Sequence, residues 1–281
     1  GMPTLSMRQG DEDYAVSFAC PTDAPGITLI LGRQSCDTRK LEQYNDIDVG
    51  NKLYGGHEVL VIFDHVFIPN ERIFLNGETA FAGMMVERFA GYHRQSYGCK
   101  VGVGDVLIGA TALATEMAGC AKASHVKDKL IEMVHLNETL YCCGIACSSQ
   151  GAPTKAGNYL IDLLLANVCK QNVTRFPYEI ARLAQDLAGG LMVTQPSEAD
   201  YRNPATHDYI EKYLKGVASV PTEDRMRVLR LIENLTMGTA AVGYLPESMH
   251  GAGSPQAQRI MIARQANMDR KKELARTIAR I

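Results

Sequence analysis

Long apolar runs, CxxC cysteine pairs and a surplus of either charge are all missing from this sequence of 281 residues. Lysine and arginine number 29 against 31 aspartate and glutamate residues, so no basic surplus can neutralise a phosphate backbone and we expect no nucleic-acid partner. No apolar run reaches the roughly eighteen residues of a membrane span, and the first residues lack the segments of a signal peptide. These absences predict a cytoplasmic protein with no membrane partner.

The chain has eight cysteines but no CxxC pair of the kind found in many zinc and redox sites. A chain of this length can bury a large core without disulfides, so we expect free thiols. Cys142, Cys143 and Cys147 fall within a helical pattern, where cysteine packs as a small apolar side chain. Apolar residues make up 46% and charged residues 21% of the chain, which is typical of a folded globular protein.

Short apolar segments bounded by glycine and proline indicate strands in the first part of the chain. They lie at residues 14–18, 27–31 and 59–63, and residues 63–69 continue as an alternating strand that ends at a proline. We expect these strands to form one small, mostly antiparallel sheet of three or four strands. Such a sheet has too little core to fold alone, so we expect it to pack on the rest of the chain.

Beyond residue 76 the apolar positions recur with a helical period, as at Val126, Leu130 and Val134. The sequence therefore predicts an α+β fold that is mostly α, with a β domain over residues 1–75 and a helical bundle over residues 76–281. We expect five or six helices and a ligand crevice between the two domains.

Helix breaks are predicted at three places in the second domain. Pro177 divides one long pattern, and Gly189 with Gly190 ends the helix that follows. Residues 196–208 are predicted to form a polar loop, and residues 256–281 a basic terminal helix.

The segment 87–100 contains an unusual density of reactive side chains, including His93, Tyr97, Cys99 and Lys100. A cysteine sulfur with an imidazole nitrogen suits zinc or an iron–sulfur cluster, and closed sites of either kind use four protein ligands. The segment offers two. Either the other ligands come from elsewhere or no metal is bound.

Resemblance to a known family extends from Asp13 to Ile281 and is most specific in the segments HRQSYG and ESMHGAGSPQAQ. These segments resemble the 4-hydroxybutyryl-CoA dehydratase/vinylacetyl-CoA Δ-isomerase branch of the 4-hydroxyphenylacetate 3-hydroxylase family. The resemblance implies an acyl-CoA dehydrogenase-like helical bundle. Family members are longer, with an N-terminal helical domain that is absent from this sequence.

The same resemblance implies FAD and a [4Fe-4S] cluster as cofactors, with an acyl-CoA substrate, 4-hydroxybutyryl-CoA, that is dehydrated to crotonyl-CoA in 4-aminobutyrate fermentation. By resemblance, His93 and Cys99 match two of the four cluster ligands, and the other two belong to the absent domain. The sequence has one glycine between Tyr97 and Cys99 where the family has two. On a helix, a spacing of six misses the starting face by about 120°, whereas seven returns to within about 20°. We therefore predict that this chain alone has an incomplete cluster and little dehydratase activity.

The resemblance also assigns acid–base and substrate-facing residues. Tyr97 and Lys100 match residues near the substrate, Glu58 and Glu247 match acidic residues of the active site, and His93 is a candidate base as well as a ligand. The residues alone do not rank these candidates.

For the flavin, Gln185, Gly189 and Gly190 match an element through which a neighbouring subunit approaches the cofactor. Arg33 and Gln34, after the second strand, could reach a phosphate or a ring edge. The resemblance thus implies a homo-oligomer, a dimer or a tetramer.

Two other functions remain open on the sequence. One is a flavin-dependent aromatic monooxygenase of the 4-hydroxyphenylacetate type, which would not need Cys99 beside His93. The other is a non-catalytic fragment that oligomerises through the bundle. A brown protein with iron and sulfide would indicate the dehydratase, a yellow one the monooxygenase and a colourless one the fragment.

Overall fold

A computed structural model of the protein describes residues 7–32, 38–50 and 58–281. Within these residues the strands are β1 (Val16–Phe18), β2 (Ile27–Leu31), β3 (Val59–Phe63), β4 (Ile73–Asn76), β5 (Ala152–Pro153) and β6 (Tyr159–Leu160). The α-helices are α1 (Thr79–Ser96), α2 (Lys100–Met117), α3 (Ser124–Ser149), α4 (Leu163–Val173), α5 (Phe176–Ala188), α6 (Leu191–Thr194), α7 (Glu198–Arg202), α8 (His207–Tyr213), α9 (Thr222–Thr236), α10 (Thr239–Tyr244), α11 (Pro246–His250), α12 (Pro255–Gln265) and α13 (Met268–Ala279). The predicted mostly helical fold with small antiparallel sheets is confirmed.

In the described residues, strands β1 to β4 form two separate ladders rather than the single sheet that the sequence predicts. β1 pairs with β4, and β2 pairs with β3 in a continuous antiparallel register from Ile27 opposite Phe63 to Leu31 opposite Val59. The ladders meet where the rings of Phe18 and Phe63 lie 5.8 Å apart, edge to face. The predicted bounds of β2 and β3 are confirmed.

The predicted strand over residues 63–69 is wrong beyond Phe63, where β3 ends. Two residues later the backbone of His65 is left-handed, with a φ of 49°, which takes the chain out of the ladder. Phe67 is 84% exposed, so the apolar alternation in this segment does not mark a buried face of a sheet.

Helices α2, α3, α5 and α9 enclose the main core. The residues at its centre that solvent does not reach are Leu107, Met133, Ile180, Ala184 and Ile232. Helices α2 and α3 approach closely at Gly104, where a Cβ atom would overlap the Asn137 side chain. The Asn137 amide donates to Asp105 Oδ1 at 2.8 Å, so one polar contact fixes the two helices within the core.

Residues 38–50 leave the β region and pack on the bundle. The Ile47 side chain is fully buried, and its backbone N–H donates to Glu198 Oε2 at 2.6 Å. Asp48 pairs with Arg230 at 3.0 Å and accepts a hydrogen bond from the Glu198 backbone N–H at 2.6 Å. A buried charge with several partners is costly to disrupt, so this segment is firmly tied to α7 and α9.

The described bundle has more and shorter helices than the five or six predicted. Pro177 lies in the first turn of α5, where its missing N–H costs no helical hydrogen bond, so the break falls just before it. The predicted loop over residues 196–208 contains α7, which begins with a reciprocal capping box of Ser197 and Asp200. The predicted terminal helix is divided into α12 and α13 by Asn267, whose φ is 43°.

Among the described residues, one helical stretch has the length and composition of a membrane span. It is Thr79–Met117, which comprises α1, α2 and the turn between them, and its most apolar window of 18 residues has a mean hydropathy of 1.2. In this window, 33% of the residues are buried inside the protein. Core helices of a bundle share this composition because they are apolar on more than one face.

Candidate active site

Four helices bring an imidazole, three cations and a carboxylate into one region of the bundle. Helix α1 supplies His93 and Arg94, α2 supplies Lys100, α4 supplies Lys170 and α11 supplies Glu247. The Lys100 ammonium lies 3.9 Å from Glu247 Oε2, and the Lys100 side chain is mostly buried while Glu247 is 42% exposed. The electrostatic surroundings of His93 include all four of the other residues. Three of the sequence-predicted residues, His93, Lys100 and Glu247, therefore lie together.

Lys170 is the residue of this region that the sequence analysis missed. Its side chain is fully buried, and its ammonium donates to the backbone carbonyl of Ser248, the residue next to Glu247. A lysine almost never occupies such a position without a partner. The signal in the sequence was a lysine between Cys169 and Val173, on the face of α4 that packs inward.

Like Lys170, Arg94 donates a hydrogen bond to the backbone of the segment that follows Glu247. Its guanidinium donates to Asn167 Oδ1 at 2.6 Å and to the Ala252 carbonyl at 3.0 Å. We call Arg94 and Lys170 the cationic clamp. Because it binds the backbone at Ser248 and Ala252, it fixes the segment that carries Glu247 against α1 and α4.

Burial and the neighbouring cations favour neutral forms of two groups in this region. The pKa of His93 is lowered, first by burial and then by the charge of Lys170. The pKa of Lys170 is lowered to about 8, first by burial and then by Lys100 and Arg94. Ionisable groups with shifted pKa values in a shared region are typical of functional sites, because acid–base chemistry requires them.

Cys99 lies six residues after His93, at the junction of α1 and α2. It is exposed and ends the 3₁₀ turn Tyr97–Cys99 that joins α1 to α2. It lines a small groove of about 180 Å³ with residues of α3 that include Tyr141 and Gly144, whereas His93 does not line that groove. Nowhere in the described ranges do three or more His, Cys, Asp or Glu side chains converge as metal ligands would. The described residues therefore do not by themselves fit a [4Fe-4S] cluster.

The cysteines of α3 and α4 are thiols in and beside the bundle. Cys147 is fully buried and Cys143 half-buried, so the predicted packing holds for these two, whereas Cys142 is exposed; Cys169, on α4, is also fully buried. Burial raises the pKa of Cys143, and the contact with Cys147 together with burial raises that of Cys169. Both thiols are held protonated, which disfavours the thiolate that a metal binds.

The predicted flavin residues lie at the end of α5 or outside the described ranges. Gly189, with a φ of 70°, donates its N–H to the Gln185 carbonyl at 2.9 Å and ends α5, as predicted. Both Gly189 and Gly190 are exposed, and a Cβ atom at either would meet nothing within 4 Å. The backbone there has room for a cofactor or another subunit, and the assignment of this element to the flavin stays a prediction. Arg33 and Gln34 lie outside the described residues.

Glu58 lies just before β3, in the β region of the chain. Its residue is exposed, and its backbone carbonyl accepts from the Gly32 N–H at 2.7 Å, which extends the β2–β3 ladder. Tyr97 begins the 3₁₀ turn between α1 and α2, four residues after His93. Their functional assignments stay predictions.

A larger groove of about 960 Å³ lies within the helical part, between α1, α4 and the β5–β6 hairpin. Its lining includes the cations Arg88 and Lys155 and the carboxylate Asp162, which caps α4 by accepting from the Leu165 N–H at 2.7 Å. The volume is in the range of small-molecule sites.

Comparison with known proteins gives the class of this fold and then its family. The structure superposes on a glutaryl-CoA dehydrogenase with a TM-score of 0.52 at 14% identity, which covers 90% of this chain and 51% of that one and shows an acyl-CoA dehydrogenase-like fold. Residues 2–75 match the family model of the 4-hydroxyphenylacetate 3-hydroxylase N terminal, and residues 82–280 match that of its C terminal. The chain belongs to the 4-hydroxyphenylacetate 3-hydroxylase family.

Within that family, two dehydratases are far more similar in sequence to this chain than a monooxygenase is. The 4-hydroxybutyryl-CoA dehydratase/vinylacetyl-CoA-Δ-isomerase of Clostridium aminobutyricum is 68% identical over 289 residues, which cover 100% of this chain and 59% of that protein. An oxygen-tolerant archaeal 4-hydroxybutyryl-CoA dehydratase from N. maritimus superposes with a TM-score of 0.96 at 59% identity, covering 99% of this chain and 55% of that one. The 4-hydroxyphenylacetate 3-monooxygenase oxygenase component of Thermus thermophilus is 23% identical, over 84% of this chain and 48% of that protein.

This chain is shorter than the dehydratases that it matches. The chain spans about three fifths of the length of the dehydratases that it matches. The Clostridium alignment is also longer than the 281 residues of this chain, so the relative has residues within the matched region that this chain lacks.

Proposed function

We propose that this chain is part of a 4-hydroxybutyryl-CoA dehydratase and carries residues that move protons in that reaction. The observation that carries the proposal is the group of His93, Lys100 and Glu247, in a chain that is 68% identical to a protein named for this activity. Identity to the aromatic monooxygenase of Thermus thermophilus is 23%, which favours the dehydratase over that alternative.

The chemistry requires several proton transfers at one place. Conversion of 4-hydroxybutyryl-CoA to crotonyl-CoA removes one hydrogen from C2, one from C3 and the hydroxyl from C4, and it returns one hydrogen to C4, so that water is the net product. Only the C2 hydrogen is made acidic by the neighbouring thioester. An imidazole and a carboxylate, His93 and Glu247, can accept and return protons, and Lys100 offers positive charge to a developing oxyanion.

The cationic clamp positions Glu247 relative to Lys100. Arg94 and Lys170 hold the backbone on both sides of His250, so Glu247 can stay close to Lys100 although it lies on a short helix. We assign Glu247, His93 and Lys100 to the substrate, and Lys170 and Arg94 to their support. Tyr97 and Glu58 keep the roles that the resemblance implies.

Among the described residues, the chain offers an element that suits FAD but no set of ligands for a [4Fe-4S] cluster. Gly189 and Gly190 offer an open backbone that fits the approach of FAD, with Gln185 beside them, and bound flavin would supply the electron transfer that removal of the C3 hydrogen needs. The described residues do not fit a cluster, so the proposal derives no step from one. We propose that any further cluster ligands come from polypeptide that this chain does not match.

Self-association is supported by exposed apolar side chains on the bundle. On α3, Ile131 is 66% exposed and Tyr141 and Ile145 are each 52% exposed, and on α2 the same holds for Val106 at 51%. These two helices pack against each other, and exposed apolar residues of this kind are typical of an interaction surface, here called the α2–α3 side. We propose that a second copy of this chain covers that side.

A chimeric enzyme tests the proposed function. The part of the Clostridium aminobutyricum dehydratase that this chain does not match would be fused to this chain, both as it stands and with a second glycine inserted after Gly98. We expect the chimera with the inserted glycine to form crotonyl-CoA from 4-hydroxybutyryl-CoA under anaerobic conditions. Glu247→Gln in that chimera should lower kcat by roughly 10²- to 10⁴-fold, because a general acid–base group contributes that much.

The matched control is Glu273→Gln, which changes an exposed carboxylate on α13 and should leave kcat within twofold. If neither folded chimera dehydrates the substrate, or if they hydroxylate a phenol with reduced flavin instead, the proposal is wrong.

A further inference from the structure

The groove between α1, α4 and the β5–β6 hairpin lies apart from the residues assigned to the proposed reaction. We call it the hairpin groove, and its volume is about 960 Å³. Its described lining includes Arg88 but none of His93, Lys100 and Glu247. Arg88 lies five residues before His93 on α1, so the two side chains leave the helix about 140° apart. The hairpin groove is therefore a separate site on a different side of α1.

Two cations of the hairpin groove have no partner within the described ranges. Arg88, on α1, and Lys155, in the turn of the hairpin, are both exposed, and neither forms an ion pair or a hydrogen bond with another described residue. The described lining has one carboxylate, Asp162, which already accepts a hydrogen bond from the Leu165 N–H at 2.7 Å. Two cations against one engaged carboxylate leave the groove with net positive charge, which attracts an anion.

Most of the remaining lining is apolar and aliphatic. Met84 on α1, Leu160 on the hairpin and Leu164 on α4 contribute to it, and the described lining contains no aromatic ring. The groove therefore offers no stacking surface for a nucleotide base or a phenol. A flexible aliphatic chain suits such walls, because each buried CH₂ group adds to the affinity.

A buried polar atom of the hairpin groove also lacks a partner. Oε1 of Gln265, at the end of α12, is shielded from solvent and accepts no hydrogen bond from the described residues. Buried acceptors are nearly always satisfied by protein, by ordered water or by a ligand. This observation is independent of the two cations, and it indicates that the groove is completed by a bound molecule.

The walls of the hairpin groove are held in place by contacts within this chain. The Tyr92 hydroxyl on α1 donates to the Tyr159 carbonyl, and the Tyr159 hydroxyl donates to the Ser148 carbonyl at 2.8 Å. Helix α4 lies close against α1 at Gly91, where a Cβ atom would overlap the Leu163 side chain. A groove that is formed in advance loses little conformational entropy when a ligand binds.

We infer that the hairpin groove binds a linear amphipathic anion. Its carboxylate or phosphate head group pairs with Arg88 and Lys155, and its aliphatic chain lies along Met84, Leu160 and Leu164. A guanidinium binds either head group through two parallel hydrogen bonds. The inference rests on the lining of the groove and does not depend on the proposed reaction.

Isothermal titration calorimetry of the full 281-residue chain tests this inference with octanoate and octyl phosphate, which carry the two head groups on the same chain. At least one should bind with a Kd below about 1 mM, and the tighter of the two identifies the head group. Hexanoate or hexyl phosphate should bind roughly tenfold more weakly than the matching octyl compound, because two CH₂ groups are lost. Octylammonium has the same chain with the opposite charge and should not bind.

A groove variant and a matched control locate the binding site. Arg88→Gln with Lys155→Gln removes both cations at exposed positions and should weaken binding of the anion at least about tenfold. Lys122→Gln with Lys127→Gln removes two exposed lysines outside the described lining of the groove and should leave the affinity unchanged. Circular dichroism checks that both variants are folded.

Four results would overturn the inference. They are the absence of binding by both octyl anions up to about 1 mM, equal binding of octylammonium, an affinity that the groove variant does not change, and a dimer of this chain that requires Arg88 and Lys155 and excludes the anion. The last result would assign the hairpin groove to a second copy of the chain. A chimera that forms no crotonyl-CoA would count only against the proposed reaction.

Discussion

The helical bundle and the β2–β3 ladder, called the ribbon below (Ile27–Leu31 and Val59–Phe63), are both rich in apolar residues, but a larger share of the bundle's apolar residues is buried. In the bundle, Leu107, Met133 and Ile232 are completely inaccessible to solvent. In the ribbon, Leu31 and Leu60 are more than half exposed although their neighbours are as apolar as those of the bundle. The difference indicates that the bundle buries its central apolar residues among the described residues, whereas the ribbon leaves many of its own in contact with solvent. The group of His93, Lys100 and Glu247 lies in the bundle.

The largest expected effect is the loss of cluster assembly and of dehydratase activity in this chain on its own. After anaerobic reconstitution with iron, sulfide and FAD, we expect this chain to bind fewer than the roughly four irons of a full cluster and to form no crotonyl-CoA. The reason is that the described residues bring together no set of cluster ligands. Iron and sulfide analysis with a crotonyl-CoA assay checks this. About four irons per chain with product formed would mean that the bundle supplies the ligands itself.

Truncation of apolar side chains should distinguish the two regions by stability. Ile232→Ala, in the main core, should lower the free energy of unfolding by about 2–5 kcal/mol, because it leaves a cavity. Leu60→Ala, in the ribbon, should change it by less than about 0.5 kcal/mol, because the side chain is already hydrated. Urea titration of the isolated chain measures both. Equal losses would show that the ribbon is buried within this chain.

Because the pKa of the buried Lys170 is lowered, this residue should make the free energy of unfolding rise as pH increases. Its folded pKa of about 8 lies below that of an unfolded lysine, so between these values the unfolded chain binds more protons. The free energy of unfolding should therefore rise by up to about 3 kcal/mol as pH increases from 8 to 10.5, since each pKa unit contributes about 1.4 kcal/mol.

Two variants separate this effect from the titration of other groups. Lys170→Met should lose the rise with pH, whereas Lys271→Met, an exposed lysine of α13, should keep it. A Lys170→Met profile parallel to that of the unmodified chain would show that the ammonium is not desolvated.

The smallest expected effect tests a segment where sequence and structure disagree. Ser197→Ala should destabilise the protein by about 1 kcal/mol, because it removes the side-chain acceptor for the Asp200 N–H at the start of α7. Ser149→Ala, at the last residue of α3 and outside any N-cap, is the control and should have little effect. Equal unfolding midpoints for the two variants would support the loop predicted for residues 196–208.

The parts of the fold that depend on local pattern could be predicted from the sequence. The bounds of β2 and β3 were correct because continuous apolar runs with glycine and proline at their ends identify strands. The end of α5 at Gly189 was correct because glycine ends helices. His93, Lys100 and Glu247 were identified by their motifs, and the structure brings them together.

The contacts between distant segments could not be predicted in this way. Asp48 meets Arg230 across 182 residues, and Lys170 meets the Ser248 carbonyl across 78, so no local period contains either contact. Nothing in the local sequence distinguishes Lys170, which is fully buried, from a solvated lysine of a helix. Likewise, the continuous apolar runs of β2 and β3 are typical of buried strands, yet Leu31 and Leu60 are more than half exposed among the described residues.

Hydrogen exchange of the isolated chain tests the central contrast most directly. The account predicts that amides of residues 27–31 and 59–63 exchange within about 1–2 kcal/mol of the unprotected limit, while those around Leu107, Met133 and Ile232 exchange only on global unfolding. Ribbon amides as protected as those of the core would contradict it, because the ribbon would then be complete within this chain.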